Sequence, residues 1–300
     1  MVDNSRPVKK RSVAAPSARR IDPPWQDSRP HMRTTFRELA DELVFVFILV
    51  MFIKTFLVEH YKIPTGSMTP TLIGGYVAQV DVNGDGRKDL VYDGDSEPLN
   101  PARLLVFVNK GGRYEADPTL RPSFEQFQQW VVEGLFHRQN DHVLVNRFAY
   151  WFRPPQRGEI VVFKVPPSIF TLEAPIYIKR CVGEPGDTLS FEDITATRGG
   201  RLVANGQVVE RPDFFRAWRY RPIIDTNSNG FSRQSEIEYR PINTEVFAID
   251  SIHVPANKAY VFGDNTLSSL DSRYWGGVPL ENFKGRAFLR VWPLMQFKFL

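Results

Sequence analysis

Ile176-Tyr-Ile-Lys-Arg-Cys-Val182, closed by Gly183-Glu-Pro-Gly-Asp187, reads as an apolar strand running into a dense turn. The same pattern recurs on both sides of it. Asp141-His-Val-Leu-Val-Asn-Arg-Phe-Ala-Tyr150 alternates as a strand does, and Arg157-Gly-Glu-Ile-Val-Val-Phe-Lys164 is another strand. Leu202-Val-Ala-Asn-Gly-Gln-Val-Val209 predicts a hairpin on an Asn205-Gly206 turn, and Ala259-Tyr-Val-Phe262 runs into Gly263-Asp-Asn265. Ser123 to Phe136 is the best soluble-helix candidate. With 23 Pro and 20 Gly in 300 residues, strands and turns are favoured over a helical bundle, so a mainly β domain is expected over 60–300.

The amino-terminal part differs. Met1 to Thr35 carries Lys9, Lys10, Arg11, Arg19, Arg20, Arg29 and Arg33 among several prolines. It has too little apolar surface to offset its ordering entropy, which predicts a disordered basic cytoplasmic tail over 1–35. Leu43 to Ile53 is then an unbroken apolar run, extended past Lys54 by Thr55 to Val58. Counted from Leu39 it reaches the roughly 20 residues of a spanning helix, so a single transmembrane helix is expected over 36–59. A cleaved signal peptide fits less well, because Glu59-His60-Tyr61 offers no small-residue cleavage site. The basic flank predicts an inside amino terminus and a translocated remainder. A net charge of +4 is too small to imply nucleic acid, and the one cysteine, Cys181, excludes an internal disulfide.

Residue chemistry narrows the function. A serine hydroxyl needs an adjacent base to become a nucleophile. None of the five histidines, His31, His60, His137, His142 and His253, stands in a recognisable Ser/His/Asp arrangement. A neutral lysine serves instead where burial lowers its pKa. On its strand alone, Lys179 is open to two readings: it snorkels to solvent, or it is buried as a base. Ser67, between Gly66 and Met68, is likewise either a turn residue or a nucleophile.

Five segments in order decide between these readings: Ile63-Pro-Thr-Gly-Ser-Met-Thr-Pro-Thr-Leu72, Asp141-His-Val-Leu-Val-Asn146, Arg157-Gly-Glu-Ile-Val-Val-Phe163, Tyr177-Ile-Lys-Arg-Cys-Val-Gly-Glu-Pro-Gly-Asp187 and Gly263-Asp-Asn-Thr-Leu-Ser-Ser-Leu-Asp-Ser-Arg-Tyr-Trp-Gly276. Behind one anchor, this set closely resembles the bacterial type I signal peptidase (leader peptidase) family. The resemblance implies a β-rich catalytic domain, Ser67 as nucleophile and Lys179 as general base. It implies an oxyanion hole from the Ser67 N–H and the Thr65 hydroxyl, with threonine where the family often has serine. Ser269 maps to the lysine-orienting serine, Asp271 and Arg273 to a structural ion pair, and Arg180 to a positional role. Ile63, Pro64, Met68, Leu72, Tyr177 and Ile178 map to pocket-lining positions that select small side chains, giving an Ala-X-Ala preference. The expected partners are preprotein signal peptides and membrane lipid, the expected site is the outer side of the bacterial cytoplasmic membrane, and no cofactor is needed for catalysis.

Two stretches depart from that pattern. Gly75 to Gln139 is a long insertion, tolerable if its ends lie close together. Within it, Asp81-Val-Asn-Gly-Asp-Gly-Arg-Lys-Asp89 fits a calcium loop or a polar turn. The second lies in a β subdomain expected over 190–255. There Asp225-Thr-Asn-Ser-Asn-Gly-Phe-Ser-Arg-Gln-Ser-Glu236 fits an EF-hand loop, with Asp225, Asn227, Asn229 and Glu236 as ligands of a structural calcium ion. Two other functions compete with the main reading. One is a related Ser–Lys peptidase of the pilin or conjugation type; the other is a catalytically dead, membrane-tethered calcium-binding scaffold.

Overall fold

The computed structural model describes residues 36–94, 99–166, 175–195, 199–220 and 251–300. The proposed calcium ligands Asp225 to Glu236 lie outside them. The chain divides into two units, Met1–Leu49 and Val50–Leu300. In the first, the described residues belong to helix α1, Phe36–Phe52, which crosses the boundary. Among the described residues no helix is long and apolar enough to cross a membrane. The expected 36–59 helix is corrected on two counts. The α-geometry stops at Phe52 and gives way to a π-helical turn over Ile53–Leu57, and Val58 and Glu59 already belong to a strand paired with Asn146 and Val145. The Val58 N–H closes the last helical turn on the Ile53 carbonyl, and the backbone there is already extended, so the helix goes no further.

The second unit is mainly β, as the strand readings require. Its central sheet runs in the order β1 (Val58–Lys62), β7 (His142–Asn146), β16 (Phe283–Trp292), β8 (Ile160–Lys164), β9 (Ile176–Gly183), β14 (Lys258–Phe262) and β15 (Val278–Pro279), with β17 (Lys298–Phe299) added to β16. Alternation sends β8 into two cores. Ile160 and Val162 pack with Ile63, Met68, Leu72, Val143 and Val145, while Val161 and Phe163 pack with Cys181, Val261, Trp275 and Phe283. A second sheet, β12 (Gln207–Val208), β11 (Gly199–Ala204), β10 (Thr188–Thr195) and β13 (Ile252–His253), carries a tight turn at Asn205-Gly206, both with positive φ.

The insertion builds a sheet of its own: β5 (Tyr114–Ala116), β4 (Leu105–Asn109), β3 (Asp89–Gly94), β2 (Gly74–Val80) and β6 (His137–Asn140). Helix α2, Phe124–Val132, starts on a Ser123 capping box and lays Phe127 and Trp130 against Ala78, Val91, Val106 and Val108. It stops short of the expected Phe136, because Gly134 takes a positive φ and the Leu135 N–H closes back on the Trp130 carbonyl. The insertion's ends are hydrogen-bonded neighbours, Gly74 opposite Asn140 and Gly75 opposite Gln139. The Asp81 loop closes on itself: the Asp81 carboxylate accepts the N–H groups of Gly84, Asp85 and Gly86, and Asp85 pairs with Arg87. Asp89, the loop's ninth position, is buried and accepts the Val82 and Asn109 N–H groups instead. The loop is the hairpin connection between the antiparallel strands β2 and β3.

Asp141 joins the insertion to the central sheet. It is fully buried and accepts from the Ile73 N–H at 2.9 Å, Gln139 Nε2 at 2.7 Å and Arg290 Nη1 at 3.1 Å. Asp141→Ala leaves those donors unmatched in a buried site. We expect a loss of about 3 kcal/mol, or roughly 10 °C in Tm, read by thermal unfolding.

Candidate active site

Ser67 sits in a 3-10 turn, Gly66–Met68, entered from the extended Thr65. Met68 behind it is fully buried, so the apolar anchor of Gly-Ser-Met turns the serine outward, where it is half-buried. Lys179 lies on β9 and is 3% exposed. Its Nζ is 2.5 Å from Ser67 Oγ. The solvated reading of this lysine is thereby excluded. Tyr177, two residues back on the same strand face, sets its ring 5.3 Å from the amine.

Burial is the largest influence on Lys179 and pushes its pKa down from the usual lysine range to about 8; Asp271 and Asp264 raise it and Arg273 lowers it. The carboxylates are largely spoken for. Asp271 is bound in fork geometry by Arg273, with both contacts at 2.8 Å, and Asp264 by Arg180, at 2.8 and 2.6 Å. All four side chains are buried, so these are not surface pairs. With each acid matched by its arginine, little net charge remains to hold a proton on Lys179, and desolvation prevails.

The remaining mapped residues fall around this pair. The Ser269 hydroxyl donates to Asp271 Oδ2 at 2.7 Å rather than to Lys179, which leaves its lone pairs as acceptors. It stands where Gly263 lacks a side chain: a Cβ there would lie 2.1 Å from Ser269 Oγ and 2.5 Å from the Ser67 carbonyl. Thr65 is exposed, and its hydroxyl makes no capping bond. As an early residue of a helical turn, Ser67 has no intrahelical acceptor for its N–H. Ile63, Met68 and Leu72 are buried in the core, whereas Pro64 is exposed and Tyr177 and Ile178 are half-buried at the surface. Among the described residues there is no metal-ligating group of three or more.

The strand carrying Lys179 is also unevenly paired. β8 accompanies Ile176 to Arg180, but β14 on the other side meets only Arg180, Cys181 and Gly183. Among the described residues the β14-side edge of Ile176–Lys179 is therefore open beside the Ser67–Lys179 pair. Two positioning groups escaped the sequence reading, although both lie in Gly263-Asp-Asn265. Asp264 partners Arg180. Asn265 holds the serine turn, its N–H donating to the Ser67 carbonyl and its Nδ2 to that of Gly66, both at 3.0 Å.

The profile of the family described as signal peptidase, peptidase S26 matches residues 137–292, just over half of the chain. The chain belongs to this family. Signal peptidase I of Leptolyngbya laminosa is 32% identical over 159 residues, covering 52% of this chain and 62% of that protein. A probable signal peptidase I-2 of Synechocystis sp. is 31% identical over 156 residues, 52% of this chain and 56% of that protein. Signal peptidase I of Bacillus caldolyticus is 28% identical over 177 residues, 58% of this chain and 84% of that protein. The chain thus spans less than two thirds of the first two relatives. The family match begins at His137, so it includes Lys179, Ser269, Asp271 and Arg273 but neither Ser67 nor the insertion before its last strand.

Removing the Asp271 charge while Arg273 stays takes away a group that raises the Lys179 pKa and frees one that lowers it. NMR titration of lysine-labelled protein is expected to find the Lys179 midpoint near 8, and lower in Asp271→Asn. An unmoved or raised midpoint would contradict this account of the charge balance.

Proposed function

We propose that the chain is a Ser–Lys endopeptidase that removes signal peptides from exported preproteins after Ala-X-Ala-like sites. The observation that carries the reading is a buried lysine amine 2.5 Å from a serine hydroxyl in a chain of the signal peptidase family. Neutral Lys179 accepts the Ser67 proton as Oγ attacks the scissile carbonyl. The developing oxyanion meets the Ser67 N–H and the Thr65 hydroxyl. The ammonium then protonates the departing amine, and the regenerated base activates the water that hydrolyses the acyl-enzyme. No metal is needed at any step, since a carbonyl of this kind is polarised by hydrogen-bond donors.

The open edge of Ile176–Lys179 suits an extended peptide, whose backbone would add a strand and whose alternate side chains would point at Pro64, Tyr177 and Ile178. Ile63, Met68 and Leu72 underneath fix how shallow those pockets are, which favours small residues.

The reading includes a single-pass anchor with the amino terminus inside. It is supported by helical turns that follow one another from Phe36 to Leu57, with Leu43 to Phe52 all exposed, from Leu49 at 44% to Phe45 at 66%. Where β1 begins, Arg147 reaches the Thr55 carbonyl, and the exposed Phe148 ring meets exposed Trp151 at a tilt and exposed Phe152 edge-on. Exposed aromatic groups of this kind suit a lipid interface.

Detergent-solubilised chain should cleave a preprotein, and Ser67→Ala and Lys179→Ala should each lose cleavage by several orders of magnitude while unfolding at the parent temperature. The double variant should be no worse than either single one, since the residues act as a unit. The base works only when neutral, so kcat/KM should be low in acid, rise through a midpoint near 8 and level off above it. Turnover near the parent rate in either single variant, or activity confined to acid, would end this reading.

A further inference from the structure

The Gly66 carbonyl and the Ser67 N–H belong to one planar trans peptide unit and point in opposite directions. Whatever holds the carbonyl therefore aims the N–H. The carbonyl is held twice, by the Thr69 N–H and by Asn265 Nδ2, both at 3.0 Å. The Gly66 Cα, at the start of the same unit, rests against a residue of the insertion. A Cβ at Gly66 would lie 1.9 Å from the Tyr92 hydroxyl oxygen and 2.0 Å from Cζ of its ring. Tyr92 stands on β3, is 5% exposed, and its hydroxyl donates to the Gly74 carbonyl at 3.2 Å. Gly74 presses in turn on the residue before the turn: a Cβ there would lie 2.5 Å from the Thr65 nitrogen.

We propose that Tyr92 and Asn265 are positioning residues that aim the Ser67 N–H at the oxyanion, a role that rests on the Ser67–Lys179 hydrolysis proposed above. Asn265 holds the carbonyl end of the peptide unit, and Tyr92 closes the space beneath its Cα. The insertion is then part of the reaction site, because it supplies one of the two supports of the oxyanion donor. Glycine at 66 follows from the same contact, since any side chain there would displace the tyrosine. Neither residue is among the groups that set the Lys179 charge, which are Asp271, Arg273 and Asp264. Loss of either should therefore weaken transition-state binding and leave the base unchanged.

The test uses the full chain in detergent with Tyr92→Phe, Tyr92→Leu and Asn265→Leu. Tyr92→Phe keeps most of the ring and guards against a folding failure in Tyr92→Leu. Asn265→Leu keeps the approximate shape of the side chain and adds no charge, but removes the donor to the Gly66 carbonyl. Binding is measured directly for a peptide aldehyde ending in Ala-X-Ala, whose carbon bonds to Ser67 Oγ and whose oxygen enters the oxyanion site, and for the matching peptide alcohol, which only docks. Losing an oxyanion donor outright costs about 100- to 1,000-fold, so mis-aiming one should weaken aldehyde binding and kcat by about 10-fold or more. Alcohol binding and KM should stay within about twofold, Tyr92→Phe should fall between the parent and Tyr92→Leu, and the pH midpoint should stay near 8. Folded variants that keep the parent's aldehyde-to-alcohol ratio, or that lose both ligands equally, overturn the proposal. A parent chain that neither cleaves the preprotein nor prefers the aldehyde overturns the hydrolase reading, and this role with it.

Discussion

A lysine amine held out of water beside a serine hydroxyl is the constraint on which this structure turns. An isolated ammonium in a low-dielectric site is costly, and the group responds by giving up its proton. That response is useful only if no nearby carboxylate keeps the proton in place. Asp264 and Asp271 both lie close enough to raise the Lys179 pKa. Each is bound in fork geometry by an arginine, Arg180 and Arg273, so the acids are neutralised where they stand. The ion pairs are best understood as part of the electrostatics of Lys179. As stabilising contacts alone, buried pairs often do no better than well-packed apolar groups.

The scaffold meets this constraint through one strand. β9 is paired along its first half with β8 and along its second half with β14, so Lys179 sits where one partner strand has ended and the other has not. Arg180, the next residue, points to the opposite face and takes Asp264 there, as strand alternation demands. The serine turn is brought across to Lys179 by buried Ile63, Met68 and Leu72 and is tied to the segment after β14 through Asn265. Gly263 makes that tie possible, since Ser269 and the Ser67 backbone both occupy the space a side chain would need.

The insertion shows how a long excursion is accommodated beside the serine turn. Its ends pair with one another, so the central sheet sees a short connection. Asp141 then fastens its exit to β16 through Arg290, and Tyr92 meets the turn itself. Loop-closure entropy grows slowly with length, and a sheet with its own core and its own covering helix offsets it.

The strands around Ile176–Val182, the Asn205-Gly206 hairpin and the start of α2 were legible because each depends on local rules: side-chain alternation, turn residues with positive φ, and a capping box. Ser67 and Lys179 were legible only as parts of motifs resembling a family's, for either residue alone also fits a surface role. The end of the amino-terminal helix was misread by its apolar run, since hydropathy does not register that Val58 and Glu59 pair with β7. The amino-acid sequence by itself therefore determined which segments are strands and which residue types are on hand for the chemistry, because periodicity and turn chemistry act over a few residues. Only the tertiary structure decided that Lys179 is dry, that Asp271 and Asp264 are each matched by an arginine, and that Tyr92 lies under Gly66. Burial, charge balance and the packing of Tyr92 against Gly66 join residues far apart in the chain, and no local pattern records such distances.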